Sequence, residues 1–322
     1  MSDVPRVVSA GPGAAAGDAP LHRFAHRAMG ATFEVLVANE DYEYARQASE
    51  AAFEELDRLE GQLSRFIPSS DVCQVAALKA GGAVRVGMAA LECLKTAGQV
   101  HAETGGAFDV TIGPLLALWN PKDGSAPDPS EADQAAARAC VGMHHLVLCE
   151  SEHAVGVRRD GVQVDFGGIG KGYAVDQMAA LLGEWSIESA LIHGGESSVL
   201  GIGAPPGKDG WPVSLCGPGR GARTLACVSL RDRALSGSGV GPRHRHIIDP
   251  RTGRPAAANV GAWAVMGSAT VADALSTAFL VMSPAEVEHY CRRHGDVSGM
   301  LLTADGEGKI YRFGQWQPQR SG

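Results

Sequence analysis

The sequence predicts an α+β protein: a mixed, largely antiparallel sheet, or more than one, with helices packed on it. Two observations carry this. Strand-like and helix-like segments do not alternate regularly, as a doubly wound parallel sheet would require. Several strand-like segments also follow one another across short Gly- and Asp-rich turns, the pattern of hairpins. No period of about 20–50 residues repeats, which excludes a solenoid or a propeller.

Residues 1–21, beginning "MSDVPRVVSAGPGAAAGDAP", are rich in Ala, Gly and Pro and predict a disordered tail. The stretch has no apolar core of signal-peptide length and no lipid-attachment Cys. A cytoplasmic protein without a membrane anchor is expected. From residue 22 to 316 nothing reads as a linker, so one domain is expected there.

Within it, "ATFEVLVA" (31–38) alternates and predicts a strand. Residues 41–66 carry apolar side chains at helical spacing, with Phe53, Leu56, Leu59 and Leu63 on one face. Residues 87–105 predict a second helix ended by Gly105, and 130–140 a third with Ser130 as N-cap. "HHLVLCES" and "AVGVRRDGVQVDF" read as a hairpin turning at "RRDG". Residues 172–185 predict another helix, and 189–203 a strand, a tight glycine bend and a second strand. "WPVSLCGP", "RTLACVSLRDRALSGSG" and "ANVGAWAVMGS" add strands. A helix over 270–283, capped by Thr270 or Ser268, precedes a closing hairpin that turns at "DGEG".

The formal net charge of −8 over 322 residues argues against general nucleic-acid binding. Seven cysteines, with no CxxC pair, fit a reduced compartment better than a disulfide framework.

Five stretches are dense in residues that carry chemistry. "VDFGGIGKGYAVDQM" (164–178) runs from an apolar segment through glycines into a helix. Bare backbone N–H groups and a helix N-terminus suit an anion, and Lys171 adds charge. The spacing is neither a P-loop nor GxGxxG, and on local evidence a purely structural strand-to-helix turn is the simpler reading. "TGGAFDVTIGPLLALWN" (104–120) places Asp109 and Thr111 beside an apolar run, as a helix end and buried loop also would. "LSGSGVGPRHRHIIDPRTGRP" (235–255) is too polar for core and reads as a functional loop in which His246 is an acid–base candidate. In "VADALSTAFLVM", Asp273 and Thr277 lie four apart, on one face of an otherwise apolar helix. A carboxylate and a hydroxyl are hard oxygen ligands suited to Mg²⁺; a carboxylate stabilised by the helix dipole is the alternative. "LIHGGESSV" (191–199) most simply makes a strand bend.

The order of these stretches, with "MGATFEVLV" and "LSRFIPSSDV" before them, resembles the FAD:protein FMN transferase (ApbE) family from about Met29 to Met282. The resemblance implies an α+β fold and Mg²⁺-dependent transfer of the FMN half of FAD to a Thr or Ser hydroxyl of an acceptor protein, with AMP released. Hydrolysis of FAD to FMN and AMP is the alternative activity, and a flavin carrier with weakened catalysis is a further one. Carried over by motif, Met29, Ser64, Arg65, Phe66, Ala107, Phe108 and Asp109 would line the flavin or adenine pocket. Asp165, Lys171 and Ile247 would contact FAD. Gly168, through its carbonyl, would hold the metal with Asp273 and Thr277. Asp273, Lys171 and His246 are the residues expected to act in catalysis, with Asp249 a further candidate base.

Departures from the family pattern are Ser276 where a second Asp often stands, "GSG" (237–239) for "TSG", Arg245 before "HIIDP", a short segment joining the last two, and a missing Asn near Ala76.

Overall fold

The computed structural model describes residues 6–9, 20–120, 128–217, 223–240, 246–304 and 308–316. The chain forms β1 (Arg6–Ser9), β2 (Leu21–Ala28), β3 (Ala31–Ala38), α1 (Tyr42–Leu63), α2 (Asp71–Ala76), β4 (Ala83–Arg85), α3 (Met88–Glu103), α4 (Gly113–Trp119) and α5 (Glu131–Arg138). Then follow β5 (Leu146–Cys149), β6 (Ala154–Val157), α6 (Gly170–Glu184), β7 (Ala190–Gly194), β8 (Ser198–Ile202), β9 (Trp211–Cys216), β10 (Thr224–Leu230) and β11 (Arg233–Gly239). The chain closes with β12 (Ile248–Asp249), β13 (Arg254–Pro255), β14 (Asn259–Met266), α7 (Ala269–Val281), α8 (Pro284–Arg293), β15 (Ser298–Thr303) and β16 (Ile310–Phe313).

Eight strands form the main sheet in the order β16-β15-β14-β11-β8-β7-β3-β2, and β1-β9-β10 form a smaller one. Every ladder among the described residues is antiparallel; the isolated bridge between Ile112 and Gln163 is parallel. Both faces of the main sheet are covered. On one, Phe33, Val35, Ile192, Ala262 and Ala264 pack with α1, α3, α6 and α7. On the other, Leu191, Val199, Trp263 and Val265 pack with Val7, Trp211, Val213 and Leu215 of the small sheet. Neighbours in sequence therefore point into different cores. That is why "GAWAV" reads as a continuous apolar run instead of an alternation. A fully buried Leu or Phe contributes roughly 1.5–3 kcal/mol on each side.

The predicted helices form with small changes at their ends. α1 starts after Asp41, whose side chain accepts from the Glu43 and Tyr44 N–H groups, and it buries Phe53, Leu56, Leu59 and Leu63. It stops at Leu63, short of Pro68. α7 is capped by Ser268, not Thr270.

Four expectations need correction. Within the segment expected to be a disordered tail, Arg6–Ser9 form a strand paired with β9, and Val7 is buried in the second core. Ala, Gly and Pro nearby mask a valine pair that completes a sheet edge. The folded body resumes at Leu21, one residue before the expected boundary. The β5–β6 hairpin turns through Glu150–Glu152 and a left-handed His153, not at "RRDG", which follows β6. "VQVDF" makes one bridge and no strand, because it is drawn alongside the α4 rim. Helix α8 had no counterpart in the sequence reading; its Ser283 and Glu286 form a capping box. Most of the expected "DGEG" turn, and Arg245, lie outside the described residues.

Candidate active site

A cavity of about 880 Å³ opens between α4, the loop leading to α6, the end of β11 and α7. Twelve of the fifteen residues expected at the site line it: Arg65 and Phe66; Ala107, Phe108 and Asp109; Asp165, Gly168 and Lys171; His246 and Ile247; Asp273 and Thr277. Five separate segments thus converge, although residues 65 and 277 lie far apart in sequence.

The loop into α6 is built around Asp165. One carboxylate oxygen accepts from the Gly167 N–H at 2.7 Å, and the other pairs with the Arg65 guanidinium at 2.6 Å. Arg65 in turn lies over the Phe66 ring, 4.8 Å from its centroid, and Phe66 is 80% exposed at the mouth. α6 begins at Gly170, so Lys171 sits in its first turn, with its Nζ 3.3 Å from the Gly167 carbonyl.

Two glycines of this loop are required by space. A Cβ on Gly168 would lie 2.9 Å from the Thr277 hydroxyl and 3.2 Å from the Phe108 ring. On Gly172 it would lie 2.2 Å from the Ala269 carbonyl oxygen and 2.7 Å from the Asp273 Cβ. Gly172 is therefore bare so that α6 and α7 can touch, a packing reason that differs from the expected approach of a ligand. The contact delivers a hydrogen bond: the Gly172 N–H donates to Asp273 Oδ2 at 3.0 Å.

α7 is held in register by Asp176, the last residue of "GKGYAVD". Its carboxylate accepts from the Ala269 and Thr270 N–H groups at 2.8 and 2.9 Å, and from the Ser268 and Thr270 hydroxyls at 2.7 and 2.6 Å. These donors include orphan N–H groups of a helix start, and the negative charge suits the helix dipole. One turn further on, Asp273 is 2% exposed. Burial pushes its carboxyl pKa up; the charge of Lys171, the Gly172 N–H and the Ser198 hydroxyl oppose that, and Asp176 adds to it. Thr277 follows one turn later. Ser238 of β11 lies 3.1 Å from its hydroxyl and 2.8 Å from that of Ser276. The Ser276 hydroxyl also donates to the Asp273 carbonyl at 2.9 Å.

Other expected residues are placed differently. Met29 and Ser64 do not line the cavity. Met29 takes a left-handed φ of 51° in the β2–β3 turn, where its N–H donates to Glu60. Ser64 caps α1, and its hydroxyl accepts from the Phe66 N–H. Asp109 reaches the cavity wall, but its carboxylate accepts from the Thr111 N–H and hydroxyl and from the Met143 N–H, and lies 3.3 Å from His101. It shapes the loop that carries Phe108. His246 has its Nε2 at 2.8 Å from the Gly239 carbonyl, which only an N–H satisfies, so that nitrogen is a donor here. Asp249 is engaged by the Arg251 guanidinium and N–H and does not line the cavity, which removes it as a base.

Two further residues act at this corner without having been expected there: Ser238 as a contact of Thr277 and Asp176 as the anchor of α7. The "GYAVD" motif contained the signal for the second: a carboxylate on α6 at the height of another helix's start. Gln163, Asn120 and Cys73 also line the cavity without a warning in the sequence.

The ApbE family's sequence model matches residues 29–301. The FAD:protein FMN transferase of Treponema pallidum (strain Nichols) is 32% identical over 281 residues, covering 79% of this chain and 78% of that protein. The protein of the same name from Escherichia coli (strain K12) is 27% identical over 299 residues, covering 87% and 84%. Among solved structures, the apbe protein of Thermotoga maritima superposes with a TM-score of 0.81 at 26% identity, over 91% of this chain and 97% of that one. Flavinyl transferase ApbE of Pseudomonas stutzeri superposes with a TM-score of 0.80 at 25% identity, over 93% and 96%. An α+β fold with an antiparallel main sheet, a cavity assembled from the expected motifs and a match over most of the chain agree: this chain belongs to the ApbE family.

Proposed function

We propose that this protein transfers the FMN moiety of FAD to a Thr or Ser hydroxyl of an acceptor protein and releases AMP. The observation that carries the reading is the α6–α7 corner. There a buried Asp273 carboxylate, the Thr277 hydroxyl and the Gly168 backbone meet at the wall of a cavity large enough for a dinucleotide. These are hard oxygen donors, and they fit a Mg²⁺ ion. Asp273, Thr277 and the Gly168 carbonyl would hold it, where it would supply charge stabilisation at the phosphoryl oxygens.

The chain's own groups do the positioning. Asp176 and Gly172 fix α7 against α6, which brings Lys171 close enough for its charge to act on the Asp273 carboxyl. Lys171 brings a positive charge to the cavity wall, where it would face the pyrophosphate of a bound dinucleotide. Phosphoryl transfer spreads negative charge over the transferring oxygens, so charge placement and in-line orientation are the main tasks. The acceptor oxygen bonds to the flavin-side phosphorus while the bond to the AMP oxygen breaks. The acceptor's hydroxyl proton passes to solvent water, since the Nε2 of His246 already donates to the Gly239 carbonyl. Phe66, exposed at the mouth beside Arg65, offers a flat surface for a ring of the dinucleotide.

Seven cysteines without a disulfide support a reducing compartment, which we take to be the cytoplasm. Among the described residues no helix is long and apolar enough to cross a membrane.

The test incubates the protein with FAD, Mg²⁺ and an acceptor domain carrying a Thr, followed by mass spectrometry of the acceptor and chromatography of nucleotides. An acceptor heavier by one FMN, with AMP in equal amount, is expected. Free FMN and AMP with unmodified acceptor across a panel of acceptors would replace transfer by hydrolysis.

A further inference from the structure

Helix α7 carries Asp273 and Thr277, and side chains from other segments hold both of its ends. At its start, Asp176 of α6 accepts from the Ala269 and Thr270 N–H groups. The far end has no closing turn of its own. Its C-cap, Met282, is extended with φ −85° and ψ 151°, no glycine follows it, and the last turn holds no basic residue. The next residue, Ser283, already caps α8. The last carbonyls of α7 therefore need donors from outside the helix.

Asn259 supplies them. Its Nδ2 donates to the carbonyls of Met282 at 2.8 Å, Leu280 at 3.0 Å and Phe279 at 3.3 Å. An amide oxygen in that place would meet three acceptors, which settles the orientation of the amide. The residue is 1% exposed, and its Oδ1 has no hydrogen-bond partner among the described residues. The Val281 carbonyl accepts from Arg251 Nη2 at 2.8 Å. Both donors belong to the stretch that begins with His246 and Ile247 at the cavity wall. That stretch is folded on itself: β12 pairs with β13, and the Ala256 N–H donates to the Ile247 carbonyl at 2.9 Å. The ladder from β14 to β15 slips between Asn259 and Gly261, an irregularity of the kind that re-aims a side chain.

We propose that Asn259 is a positioning residue for the transfer reaction: it ties the Thr277 end of α7 to the segment carrying His246 and Ile247, so that these two parts of the cavity wall keep one spacing. The inference rests on the function proposed above. Leaving a buried acceptor unpaired is costly, so stability alone does not favour an amide here. Asp273 is fixed separately by the Gly172 N–H, and loss of Asn259 therefore frees the last turn of α7 more than the first. Arg65, Asp165 and Lys171 stand on other elements. The expected signature is a lower kcat with the KM for FAD nearly kept.

The experiment compares Asn259→Ala with Leu215→Ala, a truncation in the second core, in the full chain and well below both melting temperatures. It reads kcat and KM for FAD with Mg²⁺ and a Thr-bearing acceptor domain, FAD binding by flavin fluorescence, and amide hydrogen exchange by mass spectrometry. Asn259→Ala is expected to lower kcat by about tenfold or more, with KM for FAD within about twofold. Exchange in residues 278–282 should quicken by about tenfold. Leu215→Ala should lower the melting temperature and leave both readouts near wild type. Asn259→Asp, which turns a carboxylate toward the three carbonyls, should lose more turnover than Asn259→Ala. If Asn259→Ala does not fold, Asn259→Ser keeps one donor and should show the same signature in weaker form. An unchanged kcat in Asn259→Ala, or losses in Leu215→Ala that match it, overturns the positioning role. Unchanged exchange in residues 278–282 overturns the clamp itself. A wild type that modifies no acceptor overturns the function and the catalytic half of the inference, while the exchange comparison still decides the clamp.

Discussion

Two corners of the cavity use carboxylates in opposite ways. On the α4 side, Asp109 and, in the neighbouring turn, Asp249 are surrounded by N–H, hydroxyl and guanidinium donors, most of them two residues away in sequence, with the Met143 N–H reaching Asp109 from 34 positions away. On the α6–α7 side, Asp273 receives a backbone donor from a residue 101 positions away and lines the cavity. A carboxylate offers about four acceptor sites. Where local donors fill them, the residue builds a turn; where they are left unfilled beside a cavity, the residue is available to a cation. Chemical identity does not separate the two cases, whereas remaining hydrogen-bond capacity does.

The largest effect that would break this contrast is on Asp273. Asp273→Asn should lower transfer by about 10³-fold, the equivalent of several kcal/mol of lost charge stabilisation. The same change should stabilise the ligand-free protein at neutral pH by about 1 kcal/mol. The sign follows from the raised pKa of Asp273. Its contribution to stability is full below the unfolded value near 3.8 and is lost as pH rises through the folded value. Wild type should therefore gain on Asp273→Asn as the pH falls toward 4. Thermal melts across pH, with activity at neutral pH, test both halves; an Asn variant that is less stable at neutral pH would contradict the reading.

Gly172→Ala comes next. The added methyl meets backbone and must push α7 away, costing about 1–3 kcal/mol and lowering activity with stability. Gly183, in the same helix, has open space around the site of its missing Cβ. Gly183→Ala should be neutral or stabilising by about 0.5–1 kcal/mol with activity kept. Equal melting temperatures for the two variants would mean that the α6–α7 contact is not tight.

A third prediction concerns unfilled capacity without a cavity. His193 on β7 is buried, its Nε2 has no hydrogen-bond partner, and burial pushes its pKa down to about 4. It faces the side of the main sheet that packs on β1-β9-β10, opposite Glu34 and Val199 in register. The unfolded chain takes up a proton near pH 6.5 and the folded one only near 4. This group's stability contribution is therefore full above 6.5 and lost progressively down to 4. The loss amounts to roughly 3 kcal/mol. His193→Leu should flatten that part of the denaturation profile and leave FAD turnover near wild type. An unchanged slope would assign the acid sensitivity elsewhere.

The smallest effect is expected at Asp109. Asp109→Asn keeps one acceptor but turns an amide toward donors, leaving a buried N–H unsatisfied at about 1–2 kcal/mol. Activity should fall only through the displaced Phe108 loop, far less than in Asp273→Asn. A loss as large as that of Asp273→Asn would erase the distinction between the two corners.

Much of this was legible in the chain. Helices α1, α3, α5, α6 and α7 follow from periodicity and caps, and the strands of the main sheet from β7 onward follow from short apolar runs between turns. Less legible were β1, hidden in Ala, Gly and Pro, and the "VQVDF" segment, whose apolar alternation suits a strand. Its place beside the α4 rim leaves it a single partner. Short helices such as α2 and α4 carry too few residues for periodicity to speak.

Sequence alone was enough to choose the α+β class, the order of motifs and the pairing of Asp273 with Thr277, because a helix repeats every 3.6 residues and places i and i+4 on one face. Family membership is also a property of order and residue type. Only the tertiary structure could decide which glycine is bare for a ligand wall and which for a helix, and that Asp176 anchors α7. It also decided that Asp109 and Asp249 are saturated while Asp273 is not. Most of those outcomes depend on donors and surfaces brought from distant segments, such as the Met143 N–H on Asp109, the Gly172 N–H on Asp273 and the start of α7 on Asp176, and no local pattern encodes which distant donor will fill an acceptor.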